Sequence, residues 1–492
     1  MSTPVAPRPA GDLPVVVIGA GPVGLAAAAH LLSRGLTPLV LEAGDDVGAA
    51  VRDWGHVRTF TPWRYIVDAT AEKLLAPTGW TRPDTDLPPT GDELVAGYLE
   101  PLAAALGQQV VRTGARVVAV SRHGLDKSRT LGRDARPFLV RVQTAGATQE
   151  MPARAVIDAS GTWGPRNPLG GSGLPALGEA RAERAGLLVG PLPDVLGRDR
   201  RRFAGRATLV IGMGHSAANT LLDLARLARQ EPGTRAVWAI RADSPDRLYG
   251  GGDADALAAR GRLGSDLRCL VASGAVELVT GFATTELHVD GDTVTVVGDT
   301  ADGPVRIDGV HTVAAGTGFR PDLSMLSEVR LDLDPGLDAP RQLAPLIDPA
   351  YHSCGTVPPH GHRELAHPEP GFYVVGMKSY GRAPTFLITT GNEQVRSVVA
   401  ALAGDLAAAD DVQLVLPETG VCSVDARGVD TASAGGCCGS DTGVDHLVVP
   451  DGAHRSRPDG VSAQGFPTGH SGGGRVAELA RADRGTGGCC AG

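Results

Sequence analysis

Between Leu13 and Leu41 the character of the chain changes in a fixed order. An apolar, β-branched run at Val15–Ile18 meets a glycine-dense turn, an alanine-rich stretch follows to Ser33, and after Gly35 a second apolar run occupies Pro38–Leu41. Short apolar runs bounded by glycine read as buried strands, and the longer alanine-rich stretch reads as a helix, so the segment predicts β-α-β. The same order returns at Ala207–Ile211, Gly212–Gly214, Leu221–Arg229 and Ala236–Ile240. Between the two units an Arg/Trp/Pro-rich stretch, Arg52–Trp80, reads as loop. The pattern then predicts a helix over Asp92–Leu106 and strands over Gln109–Val120, Pro137–Gln143 and Ala155–Ile157. Beyond the second unit, Thr293–Val297 and Val305–Val313 suggest a hairpin, Phe372–Val375 a last strand and Asn392–Leu402 a last helix. The second unit therefore reads as inserted into the first.

Length and charge narrow the classes. The 492 residues allow about three compact units at roughly 150 residues each. Forty-six basic against 55 acidic side chains give a net charge of −9, no field for gathering nucleic acid or anionic lipid. The apolar run from Leu13 to Leu32 has no basic flank or small-residue cleavage site, and Gly19, Gly21, Pro22 and Gly24 interrupt it. It is not expected to be a signal peptide or a membrane span, so the expected location is cytoplasmic, with no membrane partner. Of seven cysteines only Cys269 and Cys354 fall before the tail, too few for a secreted disulfide framework. From Pro417 onward 17 of 76 residues are glycine and no apolar period persists, so 417–492 reads as a flexible, disordered tail.

Gly19-Ala20-Gly21-Pro22-Val23-Gly24 fits G-x-G-x-x-G between a predicted strand and helix. The first glycine would make the tight turn, the second would admit a pyrophosphate to the backbone, and the third would allow close helix–strand packing. Glu42, eighteen positions after Gly24, ends the second strand, where a carboxylate can accept both ribose hydroxyls and repels a 2′-phosphate. The bland alternative is a glycine turn without ligand. Gly212-Met213-Gly214-His215-Ser216-Ala217 repeats the arrangement with Ala217 in the third position; Arg241 stands where the first unit has Glu42, and Arg247 follows six residues later. Cations there suit a ribose carrying a 2′-phosphate, unless Arg241 is only a solvated loop arginine. The pairing predicts FAD in the first cradle and NADPH in the second: an α/β chain of two Rossmann-like dinucleotide-binding domains. The expected division is an FAD-binding domain over 12–190 and 313–410, and an NADPH-binding domain over 191–312.

At these residues the chain resembles flavin-dependent oxidoreductases with two dinucleotide-binding domains, most closely the flavin-containing monooxygenase-like branch. Asp158–Trp163, with Gly161, is similar to that family's crossing between domains, and Ala315–Pro321, with Thr317 and Gly318, to its return. Phe372–Gly376, with Gly391–Gln394, resembles the closing strand and helix. The run Gly376–Ser397 and the cysteine-bearing tail resemble flavoprotein monooxygenases encoded with arsenic-resistance genes. Three departures stand out: Leu209 replaces the histidine of the family's F-x-G-x-x-x-H, Met377 replaces the usual acid of the closing strand, and no C-x-x-C occurs.

The resemblance implies an enzyme in which NADPH reduces FAD, O₂ adds to give a C4a-hydroperoxyflavin, and one oxygen passes to a small soft nucleophile, nitrogen, sulfur or metalloid. Candidate flavin-lining residues are Arg52, Trp54, His56 and Arg58, although a lone loop histidine more often only hydrogen-bonds at the surface. Lys378, Tyr380 and Arg382 are candidates to face substrate or to form a solvated polar loop. No catalytic side chain is assigned. Dimers are common in the family, so a homodimer stays open, though no stretch reads as an interface.

In the tail, vicinal Cys437-Cys438 and Cys489-Cys490 are too close, at about 3.8 Å between α-carbons, to bridge internally with ease. With Cys422, the first pair could present three thiolates to trivalent arsenic or a soft metal, or the cysteines are incidental. Two rival functions follow: a reductase passing electrons to thiols or a metalloid, and a non-enzymatic soft-ion-binding protein.

Overall fold

The computed structural model describes residues 13–250, 257–352, 357–414 and 416. The tail cysteines Cys422, Cys437, Cys438, Cys489 and Cys490, and the tail as a whole, lie outside the described residues.

Two five-stranded sheets organise the chain, and every neighbouring pair within them is parallel. The first runs Phe372–Val374, Ala155–Asp158, Val15–Ile18, Pro38–Leu41, Val111–Arg112. The second runs Glu277–Val279, Arg235–Ala239, Ala207–Ile211, Thr312–Ala315, Leu188–Val189. All strands of the second sheet come from 188–315, between two neighbouring strands of the first, so the second unit is inserted into the first. Parallel strands need crossovers that cover both faces, which is why the central strands are apolar throughout: Val15, Val16, Val17 and Ile18 are all buried. Each sheet is accompanied by a three-stranded antiparallel meander, Arg116–Ala153 beside the first and Ala283–Val310 beside the second.

Helix Pro22–Ser33 is buried from Val23 to Leu31 because the sheet lies on one side and helix Ile388–Leu402 on the other. Alanine at four successive positions permits that close approach. His30 and Asp68 form a buried pair at 3.0 Å, and the same carboxylate caps helix Ala69–Leu75 by accepting from the Thr70 and Ala71 amides. Among the described residues no helix is long and apolar enough to cross a membrane.

Several elements differ from the sequence reading for local reasons. The strand expected over 109–120 is broken at Gly114, whose φ of +59° turns the chain from Val111–Arg112 in the parallel sheet to Arg116–Arg122 in the meander. The helix expected over 92–106 starts at Gly91 behind a Thr90–Glu93 capping box and passes through a π turn at Val95–Leu99, ahead of Pro101, which has no N–H to donate. The expected hairpin is one part of a meander. Its second arm stops at Val310, and Thr312–Ala315 leaves to join the second parallel sheet, where all four residues are buried.

Candidate functional site

At the first glycine turn the three glycines divide their work. Gly19 has φ +99°, and a Cβ there would stand 2.8 Å from the Ala159 carbonyl oxygen. A Cβ on Gly24 would stand 2.0 Å from the Gly19 carbonyl oxygen, whereas one on Gly21 would meet nothing within 4 Å. Two glycines are thus required by the protein's own packing, and the space at the third is open. Helix Pro22–Ser33 begins there with no side-chain cap and no acid in its first turn, the arrangement that receives an anion. Glu42 is held in place by the Ala20 amide at 2.7 Å and the Gly44 amide at 2.8 Å, one on each carboxylate oxygen. A carboxylate has about four lone-pair sites, so acceptor capacity is left for hydroxyl donors.

These residues open onto a cleft of about 540 Å³. Gly19, Gly21, Pro22, Glu42, Trp54, Gly161 and Gly376 all line it, together with Ser160, Met325, Lys378 and Phe386. Gly24 stands behind the turn. Arg52 does not line the cleft: its guanidinium pairs with Glu100 at 2.5 Å and donates to the Val47 carbonyl. Arg58 turns to Glu93 and the Pro88 carbonyl, and Arg382 to Asp338.

Under the cleft lies a polar layer that the periodicity of the sequence does not reveal. Lys378 and Tyr380 are buried rather than loop-exposed. The Lys378 ammonium donates to Asp158 at 2.7 Å and to Ser160 Oγ at 3.0 Å. Gln394 accepts from the Gly376 amide at 2.7 Å and donates to Ser379 Oγ at 2.9 Å and to His360 Nε2 at 3.0 Å. His360 therefore presents its Nδ1–H to the Pro358 carbonyl at 3.0 Å, and burial lowers its pKa, keeping it neutral. Gln394 fixes the turn after the closing strand. Its one sequence signal was its place in the Gly391–Gln394 segment, which says nothing of its partner eighteen residues away.

The second turn repeats the first. A Cβ on Gly212 would stand 2.0 Å from the Gly316 carbonyl oxygen, and one on Gly214 would meet nothing within 4 Å. Ala217 stands at the third position opposite Gly316, where an added Cβ would already be crowded at 3.0 Å from the Ala217 Cβ, so the Ala217 methyl fits because Gly316 has none. Ser216 is half-buried one residue into helix His215–Ala228, and Phe60 lies 5.1 Å from the His215 ring. The stretch expected as loop over 52–80 is interrupted by helical turns at Trp63–Tyr65 and Ala76–Thr78 and by helix Ala69–Leu75, leaving loop before Trp63. His56 sits in that same loop, half-buried. Arg241 is exposed and donates to the Gly171 carbonyl at 3.1 Å; Arg247 donates to the Pro349 carbonyl at 2.8 Å. Both guanidiniums keep donors to spare. Thr317 and Gly318 are occupied by the chain itself: Thr317 Oγ1 donates to the Asn167 carbonyl at 2.6 Å, and the Asn167 amide donates to the Gly318 carbonyl at 2.8 Å. Asn167 thereby ties the two crossings together. Among the described residues no group of three His, Cys, Asp or Glu side chains is placed to hold a metal.

A family model described as an NAD(P)-binding Rossmann-like domain matches residues 17–78. The thiamine thiazole synthase of Methanococcus maripaludis is 31% identical over 107 residues, 22% of this chain and 38% of that protein's length. Three solved structures share the whole two-domain arrangement. The bacillithiol disulfide reductase of Bacillus cereus aligns over 80% of this chain and 99% of its own with a TM-score of 0.59 and 19% identity. The FAD-bound cadaverine monooxygenase of desferrioxamine biosynthesis from Erwinia amylovora aligns over 86% and 99%, TM-score 0.54, identity 16%. The ornithine hydroxylase of Pseudomonas aeruginosa aligns over 80% and 99%, TM-score 0.53, identity 14%. The likeness is one of fold: two Rossmann-like parallel-sheet units, one inserted in the other.

Proposed function

We propose that the chain is an FAD- and NADPH-dependent oxidoreductase, acting as a flavoprotein monooxygenase on a small soft nucleophile. The observation that carries this reading is the open space at Gly21 inside a lined cleft, beside a Glu42 carboxylate already oriented by two amides. Those groups fit FAD: the turn and helix N-terminus for its diphosphate, Glu42 for the adenosine ribose. Bound there, FAD would accept hydride from NADPH and activate O₂. Arg241 and Arg247, with the turn at Gly214, fit the 2′-phosphate and diphosphate of NADPH. The chain's own residues then bind, orient and shield: Trp54, Met325 and Phe386 give the cleft apolar walls that exclude water. The monooxygenase neighbours named above lend the same fold to this chemistry, and the substrate class extends to a metalloid, as the resemblance to arsenic-resistance flavoproteins implies.

The test is NADPH oxidation by the yellow protein, followed with O₂ uptake and product analysis across amines, thiols and trivalent arsenicals. Oxygenated product in proportion to NADPH supports the reading, and quantitative H₂O₂ overturns it. One observation favours a second reading, electron delivery to thiols, since the fold is shared with a disulfide reductase. Cys269, the cysteine among the described residues, is exposed on helix Ala258–Ala272 and does not line the first cleft, so that route turns to the tail cysteines and Cys354, which lie outside the described residues. Deleting 417–492 separates the two: the reductase loses turnover and the oxygenase keeps it.

A further inference from the structure

The most deeply buried charge at the first cleft is used neither by the glycine turn nor by Glu42. Lys378 is 2% exposed, yet it lines the cleft beside Gly19, Gly21, Ser160 and Gly376. A buried ammonium persists only when paired, and Asp158, 0% exposed at the end of its strand, supplies the pair at 2.7 Å. The Asp158 carboxylate is fixed in turn by Ser160, whose Oγ donates at 2.6 Å and whose amide donates at 3.0 Å. An ammonium has three donors, and Asp158 and Ser160 take two of them.

Packing alone does not account for this arrangement, because apolar side chains in place of a buried ion pair are often neutral or stabilising. Its location suggests another purpose. A Cβ on Gly19 would lie 3.0 Å from Ser160 Cα, so Ser160, whose Oγ accepts from the ammonium, abuts the turn. The need for a cation there is plain. Glu42 and Asp322 both line the cleft and repel an anion, and the helix at Pro22 brings no basic residue to its first turn. Among the described residues, Arg116 is the other cation lining the cleft, and it is exposed to solvent. Lys378 also bears on Asp322, whose carboxyl is held below its ordinary range by hydrogen bonds from Ser324 first and by the Lys378 charge in addition.

We propose that Lys378 anchors the diphosphate of the dinucleotide bound at the Gly19–Gly24 turn, with Asp158 and Ser160 as positioning residues that aim its third N–H. The proposal rests on reading the first cleft as an FAD site. It also supplies a polar contact at the closing strand, where Met377 stands in place of the acid usual in the family the sequence resembles.

The experiment titrates apoprotein with FAD and with riboflavin, which lacks the diphosphate, following flavin fluorescence at low and high salt. The variants are K378M, K378R and the double variant D158N/K378M, which leaves no unpaired buried charge should K378M alone fail to fold. In the folded variants lacking Lys378, FAD affinity should fall about 10- to 100-fold while riboflavin affinity moves by less than about twofold. K378R should recover part of the FAD loss, and the salt dependence of FAD binding should shrink without the lysine. A double variant that melts like wild type and binds FAD as wild type does overturns the proposal, as does equal loss of both flavins in folded protein. Wild-type protein that takes up no FAD overturns the cofactor reading itself and the proposal with it.

Discussion

A Cβ on Gly24 would stand 2.0 Å from the Gly19 carbonyl oxygen, and one on Gly212 would stand 2.0 Å from that of Gly316, while at Gly21 and Gly214 alike it would meet nothing within 4 Å. The two turns are the same device, yet their surroundings diverge. The first is walled by segments from far along the chain: Trp54, Leu94, Met325, Gly376–Lys378 and Phe386. At the second, Gly214 and Arg241 are exposed. The turn fixes where backbone amides meet a phosphate, and distant elements decide whether the ligand is then enclosed. A cradle walled by distant segments suits a group that stays; a more exposed one suits a carrier that docks and leaves.

The strongest way to break the comparison is to loosen the closing strand that leads into the first cleft. Glu369, 1% exposed, precedes the closing strand and holds both Arg122 and Arg133, each at 2.7 Å. E369A leaves two buried guanidiniums without their counter-charge, at a cost of about 3–5 kcal/mol. Urea unfolding should register that loss, and the flavin should be released on gel filtration while NADPH protection of the second cradle survives.

Alanine at the glycines sharpens the likeness. G24A and G212A each force a Cβ onto a backbone carbonyl and should cost about 1–3 kcal/mol or more by thermal melting. G21A and G214A should melt like wild type and instead weaken FAD and NADPH respectively, since only the ligand occupies that space.

Acid should act on the first domain through His367, which is buried against Phe372 of the closing strand and whose Nδ1 accepts the Asp332 amide at 3.2 Å. Burial first and foremost lowers its pKa from 6.5 to about 4. The unfolded chain takes up this proton below pH 6.5 and the folded chain does not until about 4. Stability is therefore complete above that range and declines by up to about 3 kcal/mol as pH falls through it. Denaturation in steps of pH should show the decline, and H367F should flatten it.

The smallest effect concerns the open cradle. Arg241 already spends one donor on the Gly171 carbonyl, so R241A should raise the Kd for NADPH about tenfold through loss of charge-assisted bonds, leaving NADH nearly unchanged. Equal loss of both would show that Arg241 serves the loop rather than the 2′-phosphate.

Short-range rules made the cradles legible. Strand, glycine turn and helix are specified within some thirty residues, so Val15–Ile18, Pro38–Leu41 and Ala207–Ile211 stand where the apolar runs placed them. Chemistry of the same reach explains the differences, such as Gly114 dividing one expected strand in two. The side-chain partnerships were not legible. Arg52, expected in the cleft, turns to Glu100, and Lys378, readable as a solvated loop residue, is buried against Asp158.

What the chain specifies locally is where backbone donors can face a phosphate, because turn geometry depends on the few residues within it. Which charges stand beside those donors was decided only on folding. Asp158 and Lys378 lie 220 positions apart, and they meet because the sheet sets Phe372–Val374 parallel to Ala155–Asp158. A strand order is a choice among whole-chain topologies, and no window of sequence contains it.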